Sequence, residues 1–307
     1  MTYVNRSHLS FDQAQSVLSG DAVQYDNLEC RHDEHDRIFW CFLNPIGRPS
    51  FTQGLLTDLG RVQGEIRSLA APSPSLQPTV GWVVLGSRSP GVFSLGGDLT
   101  LFSAMIQAGD REGLREYAYA CVDVAYHNAT GYDHGAISVG LAQGEALGGG
   151  FESLLSCDVL VAERRARFGL PEVLMNLFPG MGAHCFLTRR VGSAAAMRMI
   201  LSGKVFTAEA MHTMGIVDVL AEDGQGEETV RNYILRNQSR HRSHAATYEA
   251  RRRVSPVSLG VLREICDIWV ETVMALTLPE LRRMALIISA QDKRRPREAG
   301  TVVRAAE

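Results

Sequence analysis

The stretch Gln143-Gly144-Glu145-Ala146-Leu147-Gly148-Gly149-Gly150-Phe151-Glu152 decides how this chain is read. It follows directly on the apolar run 136–142 (Ala-Ile-Ser-Val-Gly-Leu-Ala), which reads as a buried strand. Three consecutive glycines at a strand-to-helix turn expose helix N-terminal amides, and such amides form a natural anion site. A carbonyl oxygen that develops negative charge during a reaction needs two donors of this kind. No Lys-Ser or Lys-Thr follows the glycines, so the run is not a phosphate-cradling P-loop. Glu152 falls in the first helical turn. There a carboxylate either stabilises the helix dipole or takes part in chemistry.

Three further segments share this character. Phe93-Ser94-Leu95-Gly96-Gly97-Asp98-Leu99 follows a buried-strand pattern at 80–86, and its double glycine lets the backbone aim an N–H group at a ligand. The same Gly-Gly-Asp is also an ordinary turn into a helix. Ala166-Arg167-Phe168-Gly169-Leu170-Pro171-Glu172 places a stiffening proline just before a carboxylate. Phe178-Pro179-Gly180-Met181-Gly182-Ala183-His184 is a turn into a helix rich in small residues.

Around these motifs, apolar strands are expected at 38–43 and 158–162, and helices at 51–70, 99–107 and 111–128, with a Pro-Ser-rich loop at 72–78. Strands alternating with helices imply an α/β core with parallel strands covered by helices. From about residue 193 the pattern turns helical and ends in an apolar stretch from Val257 to Ser289, too apolar to stay exposed. The organisation expected is a polar N-terminal extension (1–35), an α/β core carrying the site (36–222) and a C-terminal helical region (223–307). Within the extension, the run Arg31-His32-Asp33-Glu34-His35-Asp36 reads as a solvated turn.

Composition bounds the function. Of 307 residues 45% are hydrophobic and 21% charged, as expected of a globular chain with a sizeable core. A formal net charge of −3 gives no basic field to gather nucleic acid. The six cysteines show no CxxC pair and no metal-ligand spacing, and they read as free thiols in a reducing compartment. Met1 to Ser10 lacks the pattern of a signal peptide, and no stretch approaches the ~20 apolar residues of a membrane span. A cytoplasmic protein without a metal or other cofactor is expected. A serine nucleophile would need a G-x-S-x-G elbow, which is absent. His134 and His184 lack an evident catalytic partner and read as structural, although His184 lies close enough in sequence to the fourth motif to sit near a site entrance.

The ordered set FSLGGDL, QGEALGGGFE, the Cys157-Asp158 strand, ARFGLPE, FPGMGA and Gly203…Glu209-Ala210…Gly215-Ile216-Val217 resembles the crotonase (enoyl-CoA hydratase/isomerase) superfamily over roughly residues 37–220. The resemblance implies a ββα spiral core with a helical C-terminal part. It assigns Glu152 and Glu172 to the positions of the two catalytic glutamates. It also assigns Gly97 and Gly149, with Gly96 adjoining, to the amides of an oxyanion hole. Within the superfamily, residues 140–190 are most similar to the diffusible-signal-factor synthases. Two departures stand out: Gly182-Ala183-His184-Cys185 replaces the Gly-Gly-Thr-Gln usual in hydratases, and Ser94 stands where the synthases often have Asn.

That likeness implies dehydration of a 3-hydroxyacyl thioester on acyl carrier protein, then hydrolysis to a free cis-2-unsaturated fatty acid. It also implies a homo-oligomer, a trimer or a dimer of trimers. Two readings compete: a plain hydratase or isomerase acting on acyl-CoA, and a surface partner that sequesters a sensor or other signalling protein. For the acyl tail, Leu99, Phe102, Met105 and Ile106 recur at helical spacing just after Gly97, and Trp269 with Met284 and Ile287 forms a second candidate wall. The same residues can equally be ordinary core.

Overall fold

The computed structural model describes residues 24–71 and 78–293. The extension's first 23 residues and most of the Pro-Ser-rich loop lie outside the described residues. Ten strands run as β1 (Leu28–Asp33), β2 (Ile38–Leu43), β3 (Trp82–Ser87), β4 (Val92–Ser94), β5 (Ile137–Ala142), β6 (Glu145–Leu147), β7 (Val159–Glu163), β8 (Arg167–Gly169), β9 (Val205–Thr207) and β10 (Val219–Ala221). The α-helices are α1 (Gln53–Ala70), α2 (Leu99–Ala108), α3 (Arg111–Thr130), α4 (Gly149–Leu155), α5 (Ala183–Val191), α6 (Ser193–Ser202), α7 (Ala208–Thr213), α8 (Gly226–Asn237), α9 (His241–Val254), α10 (Leu259–Met274) and α11 (Leu278–Lys293).

Six strands form one sheet in the order β1-β2-β3-β5-β7-β10, parallel except for the β1–β2 hairpin. Both faces are covered, which explains why these strands read as continuous apolar runs rather than alternating ones. Along β2 the pleat sends Phe39, Cys41 and Leu43 to the side of α1 and α3, and Ile38, Trp40 and Phe42 to the side of α8. Val230 and Ile234 of α8 close that second layer. All six cysteines are free.

The second sheet is smaller and carries the site. Its order is β4-β6-β8-β9, with β4–β6 and β6–β8 parallel. Each of β3, β5 and β7 is therefore followed by one three-residue strand of the second sheet and then by a helical turn. This is a ββα unit repeated three times. Sequence reading expects β2, β3, β5 and β7 of the main sheet and the helices α1, α2 and α3, and these are found within a residue or two; it gives no strand at β1 or β10. It does not resolve β4, β6 and β8, which lie inside the glycine-rich motifs themselves. Three residues are too few to display a period.

Two other features differ from expectation. β1 lies inside the segment read as a polar extension, and Arg31-His32-Asp33 continues it as a paired edge strand rather than a solvated turn. Its charged residues are anchored, since Asp33 and Asp36 accept from Arg231 at 2.9 and 2.8 Å. The stretch 257–289 is two helices, and its burial is one-sided. Leu262, Cys266, Trp269, Val270, Val273 and Met284 are buried, whereas Val261, Ile268, Leu278 and Leu286 face outward. Among the described residues no helix is long and apolar enough to cross a membrane.

Of the C-terminal helices, α9 is tied to the core through a buried carboxylate. Asp158, at the start of β7, accepts from Arg251 and Arg252 of α9 at 2.6 Å each, and from Ser138 N–H of β5 at 3.2 Å. Removing one partner of a buried ion pair strands the other charge, at a cost of ~3–5 kcal/mol. Asp158→Ala should lower the unfolding free energy by about that amount in denaturant titration. A midpoint within error of wild type would show that α9 does not depend on this tie.

Candidate active site

The second sheet brings the motifs together. Parallel register pairs Ser94 with Ala146, Ala146 with Phe168, and Leu147 with Gly169. The turns after β4, β6 and β8 therefore emerge side by side, carrying Gly96-Gly97, Gly148-Gly149 and Pro171-Glu172. Between them and α3, α10 and Phe51 lies a cleft with about 680 Å³ of space, part of it open to solvent. Gly97, Gly149, Glu152 and Glu172 all line it.

Close backbone packing explains the glycines. Gly96 has φ +93°, and a side-chain carbon there would stand 2.9 Å from Leu147 O and 3.1 Å from Gly149 N. Gly148 has φ +52°, and a side-chain carbon would meet Glu172 Oε1 at 2.5 Å. Gly149 opens α4, so its N–H has no partner within the helix. A side-chain carbon on Gly149 would lie only 3.7 Å from Gly97 N. The two amides are thus neighbours at one side of the cleft, an arrangement able to receive one oxygen carrying developing charge.

The carboxylates sit in unlike settings. Glu152, in the first turn of α4, is buried, and its Oε1 accepts from Met181 N and Ala183 N at 2.8 Å each. Burial pushes it up to about 7, and the two amide bonds oppose that rise. Relative to an ordinary glutamate this shift corresponds to roughly 3 kcal/mol against the charged form. Glu172, in the one-turn 3-10 helix Pro171–Met175, has a partly exposed side chain but a buried Oε2 with no hydrogen-bond partner. Burial, and then the neighbouring charge of Glu152, holds it well above the usual carboxylate range. Of the two, Glu172 therefore holds its proton the more tightly and Glu152 is the more readily charged.

The fourth motif has a role that sequence reading did not give it. The turn 178–182 and the first residue of α5 deliver the two amides that fix Glu152, and Trp269 braces that turn from α10. A side-chain carbon on Gly180 would lie 2.7 Å from Trp269 Cδ1. Trp269, Leu99 and Phe102 line the cleft, with Phe102 and Trp269 in edge contact at 5.1 Å between ring centres. Met105 does not line it: one turn along α2 it packs behind Tyr117, beside a separate depression with Leu56 and Asp110. Ile106, Met284 and Ile287 are likewise absent from the cleft wall. Tyr117, Ala118 and Cys121 of α3 do line it and were missed. Their i, i+1, i+4 spacing with Leu114 marks a buried helix face but says nothing of a cleft.

Among the described residues no histidine lines the cleft. His184 is half-buried against Phe178 at 5.9 Å, with burial lowering its pKa. Burial pushes the Cys121 thiol far up, so it keeps its proton. Among the described residues no three His, Cys, Asp or Glu side chains gather as a metal ion would require.

Residues 48–258 match the family described as enoyl-CoA hydratase/isomerase. The chain belongs to that family. It is 32% identical over 158 residues to a probable enoyl-CoA hydratase of Mycobacterium leprae, covering 50% of this chain and 57% of that protein. Over 157 residues it is 32% identical to the 2,3-dehydroadipyl-CoA hydratase of Escherichia coli, covering 51% and 56%. Thus the chain spans little more than half the length of these relatives. In fold it is similar to the enoyl-CoA hydratase of Bacillus halodurans, with TM-score 0.70 and 23% identity over 85% of this chain and 99% of that one. The expected crotonase-type α/β fold is thereby met.

Gly148 tests the geometry directly. Its φ and the nearness of Glu172 leave no place for a methyl group, and strain of this kind costs ~1–3 kcal/mol. Gly148→Ala should lower the melting temperature and, by pushing Glu172 aside, abolish most turnover. Wild-type stability and turnover together would contradict the described turn.

Proposed function

We propose that this protein eliminates water from a 3-hydroxyacyl thioester carried by acyl carrier protein. It then hydrolyses the thioester to release a cis-2-unsaturated medium-chain fatty acid that serves as a signal. The observation that carries the acyl-thioester part is the pair of unlike glutamates facing two adjacent amides across one apolar cleft. The carrier protein, hydrolysis and signalling parts rest on the sequence likeness across residues 140–190.

In this reading Gly97 and Gly149 N–H groups hold the thioester oxygen, each such donor typically contributing ~3 kcal/mol once charge develops. Elimination needs a carboxylate to take the C2 proton and a carboxylic acid to protonate the departing C3 hydroxyl, which leaves as water. One protonated and one charged carboxyl supply both demands: the acid's proton leaves in the water, and the C2 proton ends on the other carboxyl, Glu152 and Glu172 having exchanged states. For hydrolysis, a carboxylate takes a proton from water as its oxygen adds to the thioester carbon. The C–S bond then breaks, and the thiol leaves with the proton of the other carboxyl. Neither step calls for a metal or a cofactor.

A second reading is favoured by the relatives, which are named as hydratases of CoA thioesters: reversible hydration of an enoyl-CoA. Mass spectrometry of products from 3-hydroxyacyl carrier protein and from crotonyl-CoA separates the two. A free unsaturated acid supports the first; hydration of crotonyl-CoA with no acid released would replace it. A homo-oligomer in the cytoplasm is part of the proposal, and the outward-facing Ile268, Leu278 and Leu286 give it apolar surface to cover. A sensor protein is a further candidate partner.

Glu152→Gln and Glu172→Gln should each lower kcat by ~10²–10⁴-fold with the fold intact. Folding raises Glu172 above its unfolded value, so wild type is stabilised below ~4.3 and loses that stability as pH rises through the folded value. Glu172→Gln should therefore melt no lower than wild type at pH 8. Near-normal turnover of either variant would remove the glutamates from the chemistry.

The pH profile of kcat/KM should be bell-shaped. Activity falls below about pH 7 as Glu152 is protonated and the pair comes to hold two protons, and falls on the alkaline side as Glu172 loses its own. A flat profile from pH 6 to pH 9 would contradict the single shared proton.

Trp269→Ala should open the tail end of the cleft and shift products toward longer chains when 3-hydroxyacyl substrates of eight to sixteen carbons are compared. An unchanged length profile in a folded, active variant would take Trp269 out of substrate selection.

A further inference from the structure

The amide of Gly97 has no side chain to hold it, so its direction depends on what pins the turn 95–98. On one side this is ordinary backbone pairing, with Leu95 N–H donating to Pro49 O at 2.7 Å and Phe51 N–H to Gly96 O at 2.9 Å. Phe51 and Gly97 form an isolated parallel bridge. In a regular parallel pair, the next bond would run from Asp98 N–H to Phe51 O. Here a side chain intervenes. Asp98 N–H donates to the Tyr117 hydroxyl at 3.1 Å, and that hydroxyl donates to Phe51 O at 2.5 Å.

We propose that Tyr117 is a positioning residue of the oxyanion site, its hydroxyl bridging Asp98 N–H and Phe51 O and thereby holding the turn that presents the Gly97 amide. The inference rests on the reading of Gly97 as an oxygen-binding donor. A hydroxyl is the smallest group that can both accept from one strand and donate to the other. Phe102 and Tyr117 close in on Gly97, so that only a glycine fits there. A side-chain carbon on Gly97 would lie 3.6 Å from Tyr117 Oη and 2.5 Å from Phe102 Cζ.

Tyr117 is itself rigidly placed. It is buried on α3, with its ring in edge contact with Phe102 at 5.2 Å between centres. Burial holds the phenol well above its ordinary value, so it remains a donor throughout the working pH range. Removing the hydroxyl either leaves Asp98 N–H and Phe51 O without partners or lets them close on each other. Both outcomes loosen or shift the Gly97–Asp98 peptide, next to the one that carries the Gly97 amide.

The test compares wild type, Tyr117→Phe and Glu172→Gln in steady-state turnover of an acyl thioester, and in the absorbance shift of bound 2,4-hexadienoyl-CoA. That dienoyl probe reddens as its carbonyl is polarised. Loss of one oxyanion donor costs ~10²–10³-fold in kcat. A displaced donor should cost less, so Tyr117→Phe is expected to lose at least ~10-fold in kcat. Its KM should stay within about twofold of wild type, its pH profile should be unmoved, and its probe shift should be smaller. A role in stability alone would lower the melting temperature without moving kcat or the shift in the folded protein, and that result overturns the proposal. Should Tyr117→Phe fail to fold, Tyr117→Met, which fills the same space without a hydroxyl, is read in the same way. Glu172→Gln separates the two claims. If it keeps turnover, the paired-glutamate reading fails; if it loses turnover while Tyr117→Phe keeps it, only the inference about Tyr117 fails.

Discussion

Everything at the site depends on the parallel pairing of three strands of three residues each. β4, β6 and β8 contribute only a handful of backbone hydrogen bonds, yet their register decides where Gly97, Gly149 and Glu172 stand. So short a sheet cannot hold itself together in water. It survives because each strand continues from a long, fully buried strand of the main sheet, and because the glycines let neighbouring turns approach at backbone contact distance. A one-residue slip in β6 would carry Gly149 away from Gly97 and turn Glu152 out of the cleft.

A second constraint is electrostatic. Two carboxyl groups share an apolar cleft, a placement that costs stability unless one stays protonated or is held by donors. The protein uses both devices, and unequally. Glu152 is given two amides, from Met181 and Ala183, while Glu172 is left with an unpartnered Oε2 and holds its proton the more tightly. The resulting difference in proton affinity is what acid–base chemistry requires. Trp269 joins the two constraints, since it walls the cleft and also supports the turn whose amides hold Glu152.

The long elements were legible because period and burial write themselves into six or more residues: β2, β3, β5, α1 and α3 all fall where their apolar patterns predict. The glutamates and glycines were legible for another reason, since their order along the chain resembles a family. What stayed hidden was the second sheet, whose strands are too short to show alternation, and the contributions of α3. Tyr117 and Cys121 read as any buried helix face, and only the crossing of α3 behind the turn 95–98 gives them a cleft to line. Met105 shows the converse: correct helical spacing placed it on the face with Leu99 and Phe102, but α2 runs past the cleft before reaching it. The edge strand β1 was lost because its outward residues are charged and look like a loop.

The central claim is that the three turns form one site in which a thioester oxygen lies between Gly97 and Gly149 N–H, with both glutamates on the acyl carbons beyond it. A crystal structure with a non-hydrolysable 3-hydroxyacyl pantetheine analogue tests this most directly. The account predicts the carbonyl oxygen at roughly 2.7–3.1 Å from both amide nitrogens, and C2 and the C3 oxygen within reach of the two carboxyl groups. A carbonyl bound away from these amides, with the acyl chain outside the cleft lined by Phe102 and Trp269, would contradict it.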